Sequence, residues 1–185
     1  MLTMTQEEER KLPLLWMKNA SPRNTSLPIV FFDRDDTLIL DCGQTNEIDM
    51  FAWTPQAKEV LNDLKGLPIQ IGIATNQAGL SNGKFSLDKL SEFTEYLMQQ
   101  MQTIVGEMSI IVLACPHNLQ ADCKCRKPKA GLFQHAHDLN LGNPIVFFGN
   151  ALSDIIAAKA FGITGILITE SDFAQNVRTW IRSNL

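Results

Sequence analysis

Short apolar runs recur along the chain, separated by longer stretches with helical spacing. The runs are four to six residues long and carry mostly apolar side chains on both faces, which is typical of a parallel strand buried on both sides. They lie at 29–32, 69–74, 109–114, 145–148 and 165–168. The alternation of strand and helix predicts an α/β fold, with a central parallel sheet of five strands inside a three-layer αβα sandwich.

Two of the intervening stretches place their apolar residues on a single helical face. The first contains Ala57, Val60, Leu61 and Leu64, and the second, longer one contains Leu87, Leu90, Phe93, Leu97, Met101 and Ile104. Ser86 stands just before the second stretch, where a serine side chain caps the first free backbone N–H groups of a helix. We therefore predict helices at both places.

Residues 1–28 do not follow this alternation, and we interpret them as an N-terminal extension ahead of a single domain at 29–185. The extension contains an apolar patch at 14–17. We expect this patch to pack on the domain, and contact with a partner is the alternative. A chain of 185 residues with 45% hydrophobic residues has enough apolar side chains for one well-packed core.

Charge and hydropathy narrow the classes of partner. The formal net charge of -4 argues against a general nucleic-acid surface, which needs a basic stripe. No apolar stretch approaches the roughly 18 to 20 residues of a membrane span. We expect a cytoplasmic monomer that binds neither nucleic acid nor membrane.

Clustered carboxylates follow the first apolar run. Asp33 and Asp35 stand where an open α/β sheet binds ligands, at the carboxyl end of a buried strand. A divalent cation usually compensates such a cluster, leaving one carboxylate as nucleophile and the other as proton donor and acceptor. The alternative is an ordinary capped turn after a strand.

The loops after the next three strands also carry polar chemistry. The second strand leads into Thr75, Asn76 and Gln77, whose hydroxyl and amide groups suit phosphate oxygens. The third leads through a cysteine cluster to Arg126 and Lys127, and the fourth leads to a loop from Gly149 to Asp154. Lysine supplies the positive charge that a transferring phosphoryl group needs. The sequence predicts a metal-assisted phosphoryl-transfer site.

The cysteine cluster itself has the composition of a metal site. Cys115 and His117 are followed, after five intervening residues, by Cys123 and Cys125. Three thiolates and one imidazole complete a tetrahedral zinc site, and four protein ligands indicate a structural zinc that pins the loop. A Cys-x-Cys redox pair and reduced cysteines in a mobile loop are the alternatives. Cys42 stands apart and is interpreted as an ordinary loop thiol.

The order of these motifs resembles that of the haloacid dehalogenase-like (HAD-like) phosphohydrolases over residues 29–170. The resemblance rests on Asp33-x-Asp35-x-Thr37, Thr75, Lys127 and the loop with Asp154. Within that superfamily, the chain is most similar to the histidinol-phosphatase and D,D-heptose 1,7-bisphosphate phosphatase group, through 75–79, 115–117 and 123–128. This likeness implies a Rossmannoid sandwich with a minimal or absent cap domain.

The resemblance also implies roles for individual residues. Asp33 would attack phosphorus to form an aspartyl phosphate, and Asp35 would act as acid and base. Thr75 and Lys127 would hold the phosphoryl oxygens, and Asn76 and Arg126 would bind the substrate. A Mg²⁺ ion would be held by Asp33, by the backbone carbonyl of Asp35 and by the fourth loop, through Asn150 and Asp154. The implied activity is hydrolysis of a small phosphorylated metabolite, such as a sugar phosphate or bisphosphate.

The sequence departs from the family pattern at three positions. Asn150 replaces the aspartate expected as a metal ligand, Asp36 takes the usual glycine position, and Asn82 stands where heptose-type relatives often have arginine. An amide offers Mg²⁺ no charge, so we also consider a catalytically weak or inactive protein that binds a phosphorylated ligand or a protein partner. We hypothesise that the carboxylate of Asp36 offsets the charge missing at Asn150.

Overall fold

The structure is a computed structural model that describes residues 12–19, 26–41 and 46–185. Its centre is a six-stranded sheet in the order β1-β4-β3-β2-β5-β6. The strands are β1 (Leu14–Lys18), β2 (Pro28–Phe32), β3 (Gln70–Asn76), β4 (Ile110–Cys115), β5 (Asn143–Gly149) and β6 (Thr164–Leu167). The five apolar runs in the sequence correspond to β2–β6, which pair in parallel as predicted.

The sheet differs from the prediction by one strand, because β1 pairs antiparallel with β4 at the edge. Successive side chains of a strand point to opposite faces of the sheet. Leu15 and Trp16 accordingly pack against different hydrophobic clusters on the two faces. The expected packing of residues 14–17 on the domain is confirmed, as part of the sheet itself. The rest of the predicted extension, at 1–11 and 20–25, lies outside the described residues, and the boundary at residue 28 stays a prediction.

Helices cover both faces of the sheet, which confirms the three-layer sandwich. Their bounds are α1 (Ala57–Leu64), α2 (Leu87–Val105), α3 (Gly131–Asp138), α4 (Leu152–Phe161) and α5 (Phe173–Asn184). One core cluster includes residues of α1, α2 and α5, and the other includes residues of α3 and α4. All four predicted apolar residues of α1 are buried, whereas Leu87 in the first turn of α2 is 46% exposed.

Local capping follows the sequence at the longest helix. The Oγ of Ser86 accepts a hydrogen bond from the backbone N–H of Lys89 at 3.2 Å, as predicted. Each connection between consecutive parallel strands carries a single α-helix within the described ranges, which agrees with the expected lack of a cap. None of these helices combines the length and apolar character needed to cross a membrane. The carboxyl ends of β2–β5 therefore share one open edge.

Candidate active site

Asp33 follows β2 directly and is almost buried. Its Oδ1 accepts a hydrogen bond from the backbone N–H of Arg34 at 2.7 Å and lies 2.8 Å from Nζ of Lys127. Burial raises the pKa of Asp33 to about 6, and the nearby charge of Lys127 offsets only part of that effect. Asp33 therefore holds its proton more tightly than an exposed aspartate does.

Lys127 is the cation at the centre of the site. Its Nζ lies 2.7 Å from Oδ1 of Asp154 and donates a hydrogen bond to the carbonyl of Ala74 at 2.9 Å. The ammonium also stands 5.1 Å from the ring centroid of Phe147. Burial acts to lower the pKa of Lys127, but the charges of Asp33 and Asp154 outweigh it and raise the pKa. Lys127 is thus charged when the site is at neutral pH.

Asp154 reaches this lysine from the first turn of α4, where it is fully buried. Its Oδ2 accepts the backbone N–H of Ala151 at 3.0 Å, so the carboxylate also caps the helix. Gly149 makes the approach possible, because a Cβ at that position would lie 2.3 Å from Oδ2 of Asp154. The glycine before Asn150 is therefore a requirement of packing in this loop.

Asn76 holds the backbone of Lys127 in place. Its Oδ1 accepts the N–H of Lys127 at 3.0 Å, and its Nδ2 donates to the carbonyl of the same residue at 3.1 Å. This pair of hydrogen bonds connects the end of β3 to the loop that carries the lysine. Both polar groups of the Asn76 side chain are engaged in it, and contact with substrate stays a prediction.

Asp35 is held by two side chains rather than by the lysine. Arg34 donates to both of its carboxylate oxygens, through Nε at 2.8 Å and Nη2 at 3.1 Å. Gln77 donates to Oδ2 at 2.9 Å. Arg34 is itself fixed by Oδ1 of Asn46 at 2.7 Å and lies over the ring of Phe93. Asp35 therefore has a defined orientation at the mouth of the site.

The sequence analysis did not assign Arg34 to the site, and it placed Gln77 in the polar stretch that suits phosphate oxygens without predicting its contact with Asp35. Gln77 lies in the same polar stretch as Thr75, and its amide donates to the Thr75 Oγ1 at 2.9 Å as well as to Asp35. The pairing joins residues 42 positions apart, from the ends of different strands. Only the presence of a polar stretch after the strand signals such a residue in advance.

The cysteine cluster brings all four predicted ligands together. Cys115, His117, Cys123 and Cys125 place their ligand atoms within 4.8 Å of one another. The measured separations are 3.5 Å from Cys115 Sγ to His117 Nδ1, 3.7 Å between the Sγ atoms of Cys115 and Cys123, and 3.2 Å from His117 Nδ1 to Cys125 Sγ. Tetrahedral zinc with ordinary bond lengths requires about 3.8 Å between sulfurs and about 3.6 Å between sulfur and nitrogen. The cluster has the composition and spacing to hold a metal ion.

Arg126 connects this cluster to the site. Its Nη1 donates to the carbonyl of His117 at 3.2 Å, and its buried Nε has no hydrogen-bond partner among the described residues. Cys125 precedes it and Lys127 follows it, so the loop that carries the cysteine cluster sets the positions of both basic residues. An unpaired buried N–H is costly, and an acceptor on a bound molecule would satisfy it.

Two of the three departures from the family pattern, Asp36 and Asn150, line one pocket of about 370 Å³. Asp36 adopts φ +53°, a left-handed conformation that aspartate tolerates better than most residues. Its Oδ1 accepts the backbone N–H of Asp41 at 2.9 Å, which supports the turn. Asn150 is exposed. A local hydrogen bond thus supports the left-handed conformation of Asp36 at the usual glycine position.

The donor set fits a hard divalent cation. Three carboxylates, Asp33, Asp35 and Asp154, face two cations, Arg34 and Lys127, which leaves a net charge of -1. The raised pKa of Asp33 shows that additional positive charge would stabilise its ionised form. Carboxylate, amide and carbonyl oxygens are the ligands that Mg²⁺ prefers.

Comparison with known proteins places this geometry in a family. The family model described as polynucleotide kinase 3 phosphatase matches residues 28–178. D-glycero-β-D-manno-heptose-1,7-bisphosphate 7-phosphatase of Haemophilus ducreyi is 34% identical over 148 residues, which are 75% of this chain and 81% of that protein. The enzyme of the same name from Escherichia coli K12 is 30% identical over 176 residues, covering 86% and 91%.

Solved structures share the fold. D,D-heptose 1,7-bisphosphate phosphatase from B. bronchiseptica, complexed with magnesium and phosphate, has a TM-score of 0.74 at 20% identity, covering 85% of this chain and 99% of that one. A HAD-like phosphatase from Mesorhizobium loti has the same TM-score and identity, covering 93% and 97%. The chain therefore belongs to the HAD-like phosphatases, in the group that contains the heptose-bisphosphate phosphatases.

Proposed function

We propose that the protein is a Mg²⁺-dependent phosphatase that hydrolyses a small phosphorylated sugar through an aspartyl-phosphate intermediate. The observation that carries the proposal is the buried contact of Lys127 with both Asp33 and Asp154 at 2.8 and 2.7 Å. A lysine between two carboxylates at the end of a parallel sheet offers a nucleophile and a phosphate-binding cation side by side.

The reaction follows from the orientation of the carboxylates. The contacts of Asp33 with Lys127 and with the backbone of Arg34 both use Oδ1, so Oδ2 attacks phosphorus. Asp35 protonates the leaving oxygen, and then removes a proton from the water that hydrolyses the aspartyl phosphate and regenerates Asp33. Thr75 and Lys127 hold the phosphoryl oxygens. A loose phosphoryl-transfer transition state gains most from such positioning and charge.

Four groups would hold Mg²⁺: the side chains of Asp33, Asn150 and Asp154, and the backbone carbonyl of Asp35. When bound, the ion neutralises the charge of the phosphoryl group and of the carboxylates. Lys127, which is buried and charged, would stabilise the rest of the negative charge on the phosphoryl oxygens. The unsatisfied charge at Asp33 supports this assignment.

The relatives' names support a sugar bisphosphate as substrate. An open edge without a cap leaves substrate selection to the short loops. Arg126 is suited to a second phosphate or a sugar oxygen, because its buried Nε lacks a partner in the described part of the chain. Its position, fixed through His117, supports a zinc ion in the Cys115/His117/Cys123/Cys125 cluster as a structural element of the site.

Cysteine chemistry bears on location. Cys115, Cys123 and Cys125 form no disulfide bond within the described ranges, which suits a reducing compartment such as the cytoplasm. A monomer is proposed from the sequence alone.

The test is a turnover screen with Mg²⁺ against sugar phosphates, sugar bisphosphates, histidinol phosphate and an aryl phosphate, with Asp33→Asn as control. We expect phosphate release that this substitution abolishes, with the highest kcat/KM for a sugar bisphosphate. The absence of Asp33-dependent release from every substrate would overturn the proposal.

Asn150 favours a second candidate, a protein of the same fold that binds a phosphorylated ligand with little turnover. The amide leaves the loop after β5 with one carboxylate fewer than the family pattern, which weakens affinity for Mg²⁺. In that case Asn150→Asp would produce phosphate release that the natural sequence lacks.

A further inference from the structure

Gln77 stands between two residues of the site and has no assigned role. It is 3% exposed, and its backbone N–H donates to the carbonyl of Cys115 at 2.7 Å. Its Nε2 lies 2.9 Å from Oδ2 of Asp35 and 2.9 Å from Oγ1 of Thr75. One amide group therefore contacts the side chains to which we assign acid–base chemistry and phosphate binding.

The contact with Asp35 determines which way the amide faces. Arg34 already donates an N–H group to each oxygen of this carboxyl group. If the amide were reversed, its oxygen would face a carboxylate oxygen with no hydrogen between them. The NH₂ group of Gln77 must therefore point toward Asp35, and one of its two hydrogens is used there.

The second hydrogen of the Gln77 NH₂ group determines whether the Thr75 hydroxyl accepts or donates in this contact. An amide nitrogen donates and does not accept, so Oγ1 of Thr75 accepts from Gln77. The hydrogen of the Thr75 hydroxyl then has to point to another acceptor. Within the described ranges, Gln77 is the only hydrogen-bond partner of this hydroxyl, and Thr75 is 2% exposed.

We propose that Gln77 is a positioning residue that turns the hydroxyl hydrogen of Thr75 toward the phosphoryl group. By donating to one of the two lone pairs of Oγ1, it prevents the hydroxyl hydrogen from pointing at Gln77 and leaves it free to donate to the arriving phosphoryl oxygens. It also keeps that hydroxyl from donating to Asp35, because Gln77 supplies the hydrogen bond there. This inference rests on the proposed function, since it concerns how the same site holds phosphate.

The experiment is a double-mutant cycle on binding of inorganic phosphate, measured calorimetrically with Mg²⁺ present. We use Gln77→Leu and Thr75→Val, singly and combined. We expect Gln77→Leu to weaken phosphate binding by about tenfold, the size of one hydrogen bond to a charged group. In the Thr75→Val background the same substitution should cost less than about twofold, because its effect passes through the hydroxyl.

Gln70→Leu is the matched control. Gln70 is also a buried glutamine, but it is the first residue of β3, whereas Gln77 directly follows the last, and it donates to the carbonyls of Leu27 and Leu141. Its loss should lower the melting temperature and leave phosphate affinity unchanged. Gln77→Met, which keeps the length of the side chain, replaces Gln77→Leu if the latter does not fold.

Equal effects of the Gln77 substitution with and without the Thr75 hydroxyl would overturn the inference. So would a wild-type protein that binds no phosphate at millimolar concentrations. Both results are independent of hydrolysis, which the Asp33→Asn comparison decides separately. If the two substitutions have non-additive effects on phosphate affinity but the protein hydrolyses no substrate, the role of Gln77 is upheld and the proposed phosphatase activity is rejected.

Discussion

At the scale of single residues, the burial of the ionised Asp33 side chain lowers the stability of the folded protein. Its pKa rises from 3.8 to about 6 because burial disfavours the carboxylate more than Lys127 stabilises it. The folded protein therefore binds this proton more tightly than the unfolded chain does. Between about pH 4 and pH 6, the contribution of Asp33 to stability falls as the pH rises. This is the expected behaviour of a group kept for chemistry and not for folding.

Asp33→Asn removes this titration. In Mg²⁺-free buffer, the wild type should lose stability relative to the variant as the pH rises through this window, by about 3 kcal/mol at most. Denaturant unfolding of both proteins at pH 4, 5, 6 and 7 measures the difference. The other titrating groups are common to both proteins, and parallel stability profiles would contradict the prediction.

Asp36 and Asn150 lie on the same pocket, which allows the charge hypothesis to be examined. Asn150→Asp adds a carboxylate, and we expect it to raise Mg²⁺ affinity by about tenfold or more, ~1.4 kcal/mol. If Asp36 offsets the missing charge, Asp36→Gly should reduce affinity more in the wild type than in the Asn150→Asp protein. Calorimetric titration of Mg²⁺ into the four proteins provides the comparison. Simple additivity would reject the link.

At the scale of elements, the loop from Cys115 to Lys127 substitutes for part of a cap. A metal ion in the cluster would fix Arg126 through the carbonyl of His117, while Asn76 fixes the backbone of Lys127. Without the ion, three buried thiols and an imidazole would crowd together without a common ligand. The metal is therefore expected to stabilise the loop and, through it, the site.

Cys123→Ser should release the zinc, because a hydroxyl is a poor replacement for a thiolate ligand. We expect less than half of the zinc content of the wild type, a lower melting temperature and a higher KM for the substrate. Elemental analysis and thermal unfolding measure the first two. Cys42→Ser is the control, since Cys42 is predicted to be an ordinary loop thiol and lies outside the described residues. Full zinc retention in Cys123→Ser would contradict the assignment.

The elements show how far sequence reasoning reaches. Strands β2–β6 and the cap at Ser86 follow from local apolar spacing and residue type, so they were predictable. Strand β1 was not, because its five residues carry no signal for a partner almost a hundred positions away. The same limit applies to Gln77, whose partner Asp35 is 42 residues distant. Motif order predicts the candidate residues of the site, while their hydrogen-bond partners depend on which strands lie side by side.

At the scale of the whole molecule, charge separates two substrates that the comparisons suggest. The description of the matched family model names a polynucleotide phosphatase, whereas the names of the similar proteins contain a sugar bisphosphate. The chain has 16 lysines and arginines against 20 acidic residues, for a net charge of -4. A polynucleotide carries many negatively charged phosphates, and a protein that binds it needs lysine and arginine side chains to neutralise them. The small substrate is the better match.

A 3′-phosphorylated oligonucleotide and a nucleoside 3′-monophosphate present the same leaving group with and without a polyanionic chain. We expect kcat/KM for the oligonucleotide to be no higher than that for the monophosphate, because the additional phosphates meet net repulsion. Raising the salt concentration should then change the ratio little or favour the oligonucleotide by screening. Preferred hydrolysis of the oligonucleotide that falls steeply with salt would instead reveal bound phosphates along the chain, and would overturn the assignment to small metabolites.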